Sequence, residues 1–291
     1  MNGPLRALVD HWHLMMYRLM AHGPIGLSSW LGSVIVGINM RINHRDAIDG
    51  ARRNLAIHHP EADAATIEAG VRRYMDNIGR LYGEFAVLHR MVPEGRVEMI
   101  GFHPDSPEEA GQPILAIVLH LGNWEVIGAA LEHVGRRVAS FWDPPKTPMQ
   151  RRIVEESRTQ VGIRLLSPDL AGLRDALAEL RAGGLVAIFG DEARSGKTMA
   201  PLFGRPPHLS GNLSIAARLA RKTDARLVVA HCERLDGCRF RIRAGERFRL
   251  PETPGRTVLD DVAFLNAKIE PVITAHLDRW YYLDDSIAPI E

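Results

Sequence analysis

Two hydrophobic patterns divide the chain near residue 92. Before that point apolar residues recur at helical spacing, most clearly at Ile67, Val71, Tyr74, Met75, Ile78, Leu81, Tyr82 and Phe85. After it, short apolar runs such as Ile114–Leu119 and Leu185–Phe189 alternate with helical patterns. That alternation predicts an α/β fold with a mostly parallel central sheet flanked by helices. We expect an all-helical region over residues 1–92 and an α/β core over 93–291, forming one integrated domain.

The same periodicity, with caps and breakers, predicts the bounds of the elements. The predicted helices are Leu5–Met20, Leu27–Asn43, Ala47–Ile57, Asp63–Met91, Asn123–Val134, Pro148–Val161, Leu170–Arg181, Gly211–Arg221 and Thr257–Tyr281. The predicted strands are Val97–Phe102, Ile114–Leu119, Val138–Trp142, Arg164–Leu166, Leu185–Phe189, Leu227–Cys232 and Cys238–Arg243. The last strand is polar, so we expect it at an edge of the sheet.

A long segment near the N-terminus carries no Asp, Glu, Lys or Arg, from Leu19 to Met40. It is long enough to reach across a bilayer. Its many glycine and serine residues keep its hydrophobicity low for a spanning helix. Three interpretations stay open: a pair of core helices, an interfacial or re-entrant membrane segment, and a membrane span.

Bulk composition excludes several classes of protein. The 291 residues are 46% hydrophobic and 24% charged, as in an ordinary folded protein, and the net charge of +1 gives no reason to expect nucleic-acid binding. No secretory signal is evident. Cys232 and Cys238 show neither a disulfide framework nor zinc spacing, so we expect free thiols and a reducing compartment. We also expect no metal and no cofactor.

The first candidate site is an H-x4-E pattern formed by His120 and Glu125, directly after the apolar run that ends at Leu119. The carboxyl end of a buried strand is where α/β proteins usually place their chemistry. A histidine is a suitable base near neutral pH when a carboxylate holds its tautomer, and the turn at Leu121-Gly122 would let Glu125 reach back to His120. The alternative is a structural histidine bonded to a loop carbonyl.

No serine or cysteine nucleophile accompanies this histidine. The G-x-S-x-G elbow is absent, and Cys232 lies in the middle of a predicted strand. A His120 base would therefore deprotonate a substrate hydroxyl or amine directly, without a covalent enzyme intermediate.

Two further stretches carry candidate binding groups. Asp191, Glu192 and Arg194 follow an apolar strand and would share a crevice with His120 if the two strands are neighbours. Gly196-Lys197-Thr198 is not a phosphate-binding loop, because the upstream glycine is missing and no helix follows directly. The loop Pro201–Gly211, which contains Arg205, would wall an apolar tunnel, place backbone N–H groups at a substrate carbonyl, or act as a rigid connector.

Taken in order, these stretches resemble the bacterial lipid A biosynthesis acyltransferase family, within the glycerolipid acyltransferase group. His120-Leu-Gly-Asn-Trp-Glu125 resembles its H-x4-D/E block, and Arg158 the basic position of its second block. Phe189-Gly-Asp191 resembles the third, with Glu192 where the family usually has Gln, and Pro201–Pro206 with Ser210-Gly211 resembles the fourth. The likeness runs from about Arg52 to about Arg243.

The resemblance implies a role for each group. His120 would take the proton of the acceptor hydroxyl and Glu125 would orient His120. Arg158 and Asp191 would hold the acceptor head group or organise the site, with Asn123, Glu192, Arg194 and Arg205 as further substrate-binding candidates. The donor would be a fatty acyl thioester on acyl carrier protein or coenzyme A, and the acceptor a lipid or glycolipid.

The resemblance also implies a place of action, at the cytoplasmic face of the bacterial inner membrane, peripheral or weakly anchored. Arg151, Arg152 and Arg158 would form a basic rim for the acidic carrier protein, although Arg151 and Arg152 also fit a solvated helix face. The leading hypothesis is an O-acyltransferase. An acyl thioesterase and a non-catalytic lipid-binding protein remain as alternatives.

Overall fold

The computed structural model describes residues 4–102, 111–145, 147–194 and 196–284. Helices and strands alternate after residue 92, as the hydrophobic pattern predicted. The helices are α1 Pro4–His22, α2 Ile25–Asn43, α3 Arg45–His58, α4 Ala64–Glu84, α5 Leu88–Met91, α6 Glu125–His133, α7 Pro148–Gln160, α8 Leu170–Arg181, α9 Asn212–Thr223 and α10 Val258–Ala275. The strands are β1 Val97–Ile100, β2 Ile114–Val118, β3 Val138–Phe141, β4 Ile163–Leu166, β5 Leu185–Phe189, β6 Ala193–Arg194, β7 Lys197–Thr198, β8 Arg226–Asp236 and β9 Arg239–Ala244.

Local caps fix several helix ends where the sequence placed them. The Asp63 carboxylate accepts a hydrogen bond from the Thr66 N–H at 2.8 Å and starts α4. Thr257 and Asp260 form a capping box at the start of α10. The predicted helix Asp63–Met91 instead breaks after Glu84 into a 3-10 turn and the short α5. The predicted helix Thr257–Tyr281 ends at Ala275, and the aromatic segment that follows turns towards the sheet.

Seven strands form one sheet in the order β1-β9-β8-β2-β5-β3-β4. Every pairing in it is parallel except that of β8 with β9. The expectation that Cys238–Arg243 lies at an edge is wrong, because β1 pairs with the outer side of β9 in parallel. The polar side chains of β9 reflect cross-strand partners: Arg241 lies opposite both Glu98 and Glu233 in register.

Side chains that alternate along β2 divide the core into two layers. Leu115 and Ile117 belong to a cluster shared with α4, α8, α9 and α10 on one face of the sheet. Ile114, Ala116 and Val118 belong to a second cluster, shared with α5 and α6, on the other. Burial on both faces explains why β2 reads as a continuous apolar run.

Small residues allow α2 to pack closely on α4. A Cβ on Gly32 would lie 2.4 Å from the carbonyl oxygen of Gly79, and one on Gly83 would lie 2.2 Å from that of Ser28. Either contact is far inside van der Waals distance, so the two helices approach only with glycine at these positions. The middle of the α2–α4 contact is thus made of small residues, and most of the large apolar side chains of α2 are exposed.

Candidate active site

The turn after β2 delivers His120 to the carboxyl end of the sheet. The Leu119 N–H still donates to the Ala230 carbonyl of β8 at 3.1 Å, so the chain leaves the sheet at His120. Gly122 then adopts a φ of +59°, and a Cβ there would lie 2.4 Å from the Cys232 carbonyl oxygen. Glycine at this position lets the chain reverse into α6 against β8.

Asp191 approaches His120 from the neighbouring strand. Val118 of β2 and Phe189 of β5 are register partners, so the predicted proximity of the two strand ends is confirmed. The Asp191 carboxylate accepts hydrogen bonds from the His120 backbone N–H at 2.9 Å and from the Trp280 indole N–H at 2.7 Å. Its Oδ1 lies 2.8 Å from His120 Nδ1. Asp191 is fully buried, and these contacts hold both the carboxylate and the imidazole in place.

Glu125 has a different partner from the one expected. Its two oxygens accept hydrogen bonds from the Arg158 guanidinium at 2.9 and 2.6 Å, and Oε1 also accepts from the Trp124 indole at 3.0 Å. Asp191 therefore occupies the orienting position at His120 that the sequence had given to Glu125. The reason is that α6 begins at Glu125 and directs its side chain towards α7, which carries Arg158.

The Glu125–Arg158 pair is buried. Side-chain exposure is 4% for Glu125 and 15% for Arg158. Burial lowers the pKa of Arg158, but the Glu125 carboxylate outweighs it, so the net pKa lies above the ordinary value. A bidentate pair of this kind fixes the relative position of α6 and α7.

Asn123 joins the turn to a second buried ion pair. Its amide donates a hydrogen bond to Glu84 at 2.8 Å. The Glu84 carboxylate also accepts two hydrogen bonds from the Arg234 guanidinium of β8, at 2.5 and 2.8 Å. Asn77 of α4 accepts from Arg234 at 2.9 Å and donates to the Gly122 carbonyl at 3.2 Å. The predicted substrate-binding residue Asn123 is 1% exposed, and its side chain links the turn after β2 to the end of α4.

Aromatic rings surround the His120 imidazole. Phe189 stacks on it with ring centroids 4.2 Å apart, while Trp124 at 4.7 Å and Tyr282 at 5.0 Å meet it edge-on. The His120 side chain is 13% exposed. With Nδ1 held by Asp191, Nε2 is the ring nitrogen left for a substrate.

An apolar cavity of about 720 Å³ opens beside these rings. Phe189 and Trp124 line it near His120, and Glu125 and Arg158 line it on the side of α6 and α7. From there it follows the sheet face through Val118, Ala116 and Ile114 to the amino ends of the strands. Such a volume is typical of small-molecule sites, and the lining covers the length of β2 from Val118 to Ile114.

The sequence model of the bacterial lipid A biosynthesis acyltransferases matches residues 7–286, nearly the whole chain. This chain belongs to that family. No curated protein matches it. The matched residues include the His120–Asp191 pair and the whole lining of the adjoining cavity.

Glu192 lies beside the site in a setting unusual for a carboxylate. Its Oε1 accepts a hydrogen bond from the Asn212 N–H at the start of α9, 2.7 Å away. Its Oε2 is buried without a hydrogen-bond partner among the residues that the structure describes. Burial is the main cause that raises the pKa of Glu192 to about 8. Arg194, 3.5 Å away, is largely exposed to solvent.

Arg205 braces its own loop. Its guanidinium donates to the carbonyl oxygens of Leu202, Thr198 and Ala200 at 3.0, 2.9 and 2.6 Å. The loop also holds Phe203 at a φ of +59°, uncommon outside glycine. These bonds favour the rigid-connector interpretation of the loop, and binding of substrate by Arg205 stays a prediction.

Sequence reasoning missed the segment Trp280-Tyr281-Tyr282. Trp280 bonds Asp191, the Tyr281 N–H donates to the His120 carbonyl at 2.9 Å, and Tyr282 packs against the imidazole. Three consecutive aromatic residues in a chain with five tryptophans and five tyrosines were the available signal. The predicted helix Thr257–Tyr281 covers the first two of them, whereas in the structure α10 ends at Ala275.

Proposed function

We propose that this chain moves a fatty acyl group from a thioester, on acyl carrier protein or coenzyme A, to a hydroxyl of a lipid or glycolipid acceptor. His120 is the general base. The observation that carries the proposal is the His120–Asp191 pair beside an apolar cavity that is lined along the length of β2. Membership of the lipid A acyltransferase family supports the same reaction class.

The arrangement supplies the proton transfers that acyl transfer needs. With Nδ1–H donating to Asp191, His120 Nε2 accepts the proton of the acceptor hydroxyl as its oxygen attacks the thioester carbonyl. The imidazolium is stabilised by Asp191, as in hydrolase triads. Collapse of the tetrahedral intermediate breaks the C–S bond, and the imidazolium returns its proton to the leaving thiolate.

Direct attack by the acceptor fits the thiols of the chain. Cys232 is fully buried and burial raises the pKa of its thiol to about 12, so it is not a nucleophile at neutral pH. Cys238 is also buried and free. Both observations support a transfer without a covalent enzyme intermediate.

The cavity has the dimensions of an acyl chain site. Val118 and Ile114 are four residues apart on β2, or about 13 Å at roughly 3.3 Å per residue. A saturated chain with C–C bonds of about 1.5 Å and angles of about 111° advances roughly 1.25 Å per bond. The wall therefore accommodates about ten C–C bonds between these levels. Its apolar lining favours fatty acyl chains over polar donors.

The outer face of α2 supports action at a membrane surface. α2 is long and apolar enough by composition to cross a bilayer, and one third of it is buried. Its exposed large side chains form one stripe at helical spacing: Leu27, Trp30, Val34, Ile35, Ile38 and Ile42. Its inner face instead makes polar contacts with α4, including Ser29 with Glu84 at 2.7 Å and Ser33 with Asp76 at 2.6 Å. We infer an interfacial helix that lies in the membrane plane and keeps these contacts.

The basic rim expected to bind the carrier protein contains fewer free arginines than the sequence indicated. Arg158 is buried against Glu125, so it does not belong to a docking surface. Arg152 is exposed and pairs with Glu156 at 2.7 Å one turn along α7. That pairing is typical of a solvated helix face. Arg151 and Arg152 therefore do not distinguish acyl carrier protein from coenzyme A as the donor.

The test is a product analysis with purified protein. Detergent-solubilised lipid extract and acyl thioesters of both carrier types are supplied, and products are identified by mass spectrometry. An acylated lipid that vanishes in His120→Ala, but not in the exposed control His133→Ala, supports the proposal. Free fatty acid in the presence of acceptor indicates a thioesterase. Lipid binding without turnover of any thioester indicates a non-catalytic lipid-binding protein, and either outcome overturns the proposal.

A further inference from the structure

A second cluster of ionisable side chains lies away from the cavity, where the β8–β9 hairpin meets the end of α10. His231 and Glu233 alternate on β8, and His276 is the residue that ends α10. His231 Nε2 lies 3.5 Å from Glu233 Oε1, and His276 Nε2 lies 3.7 Å from the same oxygen. The three ligand atoms all fall within 4.8 Å of one another.

His231 is the unusual member of this cluster. The residue is 8% exposed, and its Nε2 has no hydrogen-bond partner within the described part of the chain. A buried polar atom without a hydrogen-bond partner is costly and therefore uncommon, and an ion that binds to it is one explanation.

Two of the three separations between ligand atoms are close to those around a tetrahedral ion. Ligands about 2.1 Å from a tetrahedral centre lie about 3.4 Å from each other. The separations of Glu233 Oε1 from the two histidine nitrogens, 3.5 and 3.7 Å, are close to that value, and the two nitrogens lie within 4.8 Å of each other. Two imidazoles and one carboxylate suit zinc and its first-row neighbours, whereas magnesium and calcium prefer oxygen alone.

We propose that His231, Glu233 and His276 bind one divalent transition-metal ion, zinc by ligand type, with water as a fourth ligand. His276 is one third exposed and leaves a path for ion and water. From the sequence we expected no metal. The ligands here are two alternate strand residues and a third more than forty positions later.

Two arginines set the strength of this site. Arg243 Nε donates to Glu233 Oε1 at 2.5 Å, and Arg241 Nη1 lies 3.6 Å from Oε2. Hydrogen bonds to a ligating carboxylate orient it, but the positive charges also repel a cation. Removing the Arg243 charge should therefore strengthen metal binding, the opposite of what a merely structural ion pair predicts.

The ion would fasten the hairpin to the segment that frames His120. Four residues after His276 comes Trp280, whose indole bonds Asp191. The Arg279 N–H also donates to the His276 carbonyl at 2.9 Å. Zinc should consequently raise the melting temperature of the whole protein. Metal binding at this cluster does not depend on which acyl transfer the His120 site performs.

The experiment uses the full chain, purified without a polyhistidine tag and freed of metal by a chelator. Zinc is added, and binding is measured by calorimetry and by elemental analysis after gel filtration. One ion per chain is expected, together with a higher melting temperature and, with cobalt, the visible absorption of a tetrahedral site. Affinity should fall at least tenfold in His231→Ala, His276→Ala and Glu233→Gln, and rise in Arg243→Gln.

The control is His133→Ala, which removes an exposed histidine of α6 and should bind zinc like the parent. Circular dichroism shows whether each variant is folded. The cobalt spectrum of the parent tests for a tetrahedral site even where a variant fails to fold. Substoichiometric zinc in the parent overturns the proposal. So does equal binding in the parent and in a folded His231→Ala/His276→Ala variant, since the ion would then be held by surface histidines.

Discussion

His120 Nδ1 and Asp191 Oδ1 lie 2.8 Å apart, joining the ends of two adjacent parallel strands. The same carboxylate also holds the His120 backbone and the Trp280 indole, so its removal loosens three groups at once. Glu125, which the H-x4-E pattern had paired with the histidine, is instead saturated by Arg158 and Trp124. Substitution at Asp191 should therefore affect catalysis, whereas breaking the Glu125–Arg158 pair should affect stability.

Asp191→Asn should lower kcat for acyl transfer by roughly a thousandfold or more, because the amide favours the wrong imidazole tautomer. KM should change little, since the cavity is untouched. Steady-state kinetics with an acyl thioester and acceptor lipid measure both. Asp175→Asn, an exposed carboxylate on α8, serves as the control and should behave like the parent. Parent-like activity of Asp191→Asn would show that the His120–Asp191 contact has no catalytic role.

Arg158→Ala should destabilise the fold by about 3–5 kcal/mol, because it leaves the buried Glu125 carboxylate without its partner. The matched control lies on the same helix: Arg152→Ala breaks the exposed Arg152–Glu156 pair and should cost under about 1 kcal/mol. Urea unfolding followed by circular dichroism gives both values. Equal costs for the two substitutions would contradict the role assigned to the buried pair.

Ala116→Phe and Ile114→Phe should shorten the acyl chain that the enzyme prefers, by different amounts. The two positions are two residues apart on the cavity side of β2, about 6.6 Å, or roughly five C–C bonds. Values of kcat/KM over thioesters from hexanoyl to palmitoyl should show a cutoff about five carbons shorter for Ala116→Phe. Leu115→Phe, on the other face of β2, should leave the chain preference unchanged. Identical profiles for all three variants would place the acyl chain elsewhere.

Glu192→Gln should stabilise the protein in a pH-dependent way. Burial raises the pKa of Glu192 to about 8 from an ordinary value of 4.5, so the folded chain binds this proton more tightly than the unfolded chain. Stability from that proton is complete below pH 4.5 and is lost as pH rises through 8. The variant should match the parent near pH 4.5 and exceed it by on the order of 2–5 kcal/mol at pH 9. A pH-independent difference would indicate that Glu192 stays ionised in the folded protein.

Ile35→Glu/Ile38→Glu should weaken binding to anionic lipid vesicles by about tenfold or more, because each isoleucine contributes buried apolar surface at a membrane. The control Asn39→Glu/Asn43→Glu adds the same charge to α2 at exposed polar positions. It therefore measures the effect of charge on binding without the loss of apolar side chains. Vesicle flotation measures binding. If both double variants bind equally, the apolar stripe of α2 is not the membrane contact.

Much of the fold follows from local patterns. The strand Leu185–Phe189 and the helix Leu170–Arg181 have the predicted bounds, because each is a short apolar run or an amphipathic repeat between strong breakers. The proximity of His120 and Asp191 follows from parallel neighbours that end at one edge. The position of β9 inside the sheet did not follow, because polar side chains there are paired with charges on strands distant in sequence.

The sequence by itself determined the fold class, the helical start, the placing of His120 at a strand end and the acyltransferase family. These depend on period, caps and short ordered motifs, which are local properties of the chain. Only the tertiary structure decided that Asp191 rather than Glu125 holds the imidazole, that Glu84 and Arg234 fasten the turn, and that His231, Glu233 and His276 meet. Those contacts depend on the direction in which each side chain leaves its element, and direction is fixed only when helices and sheet pack together.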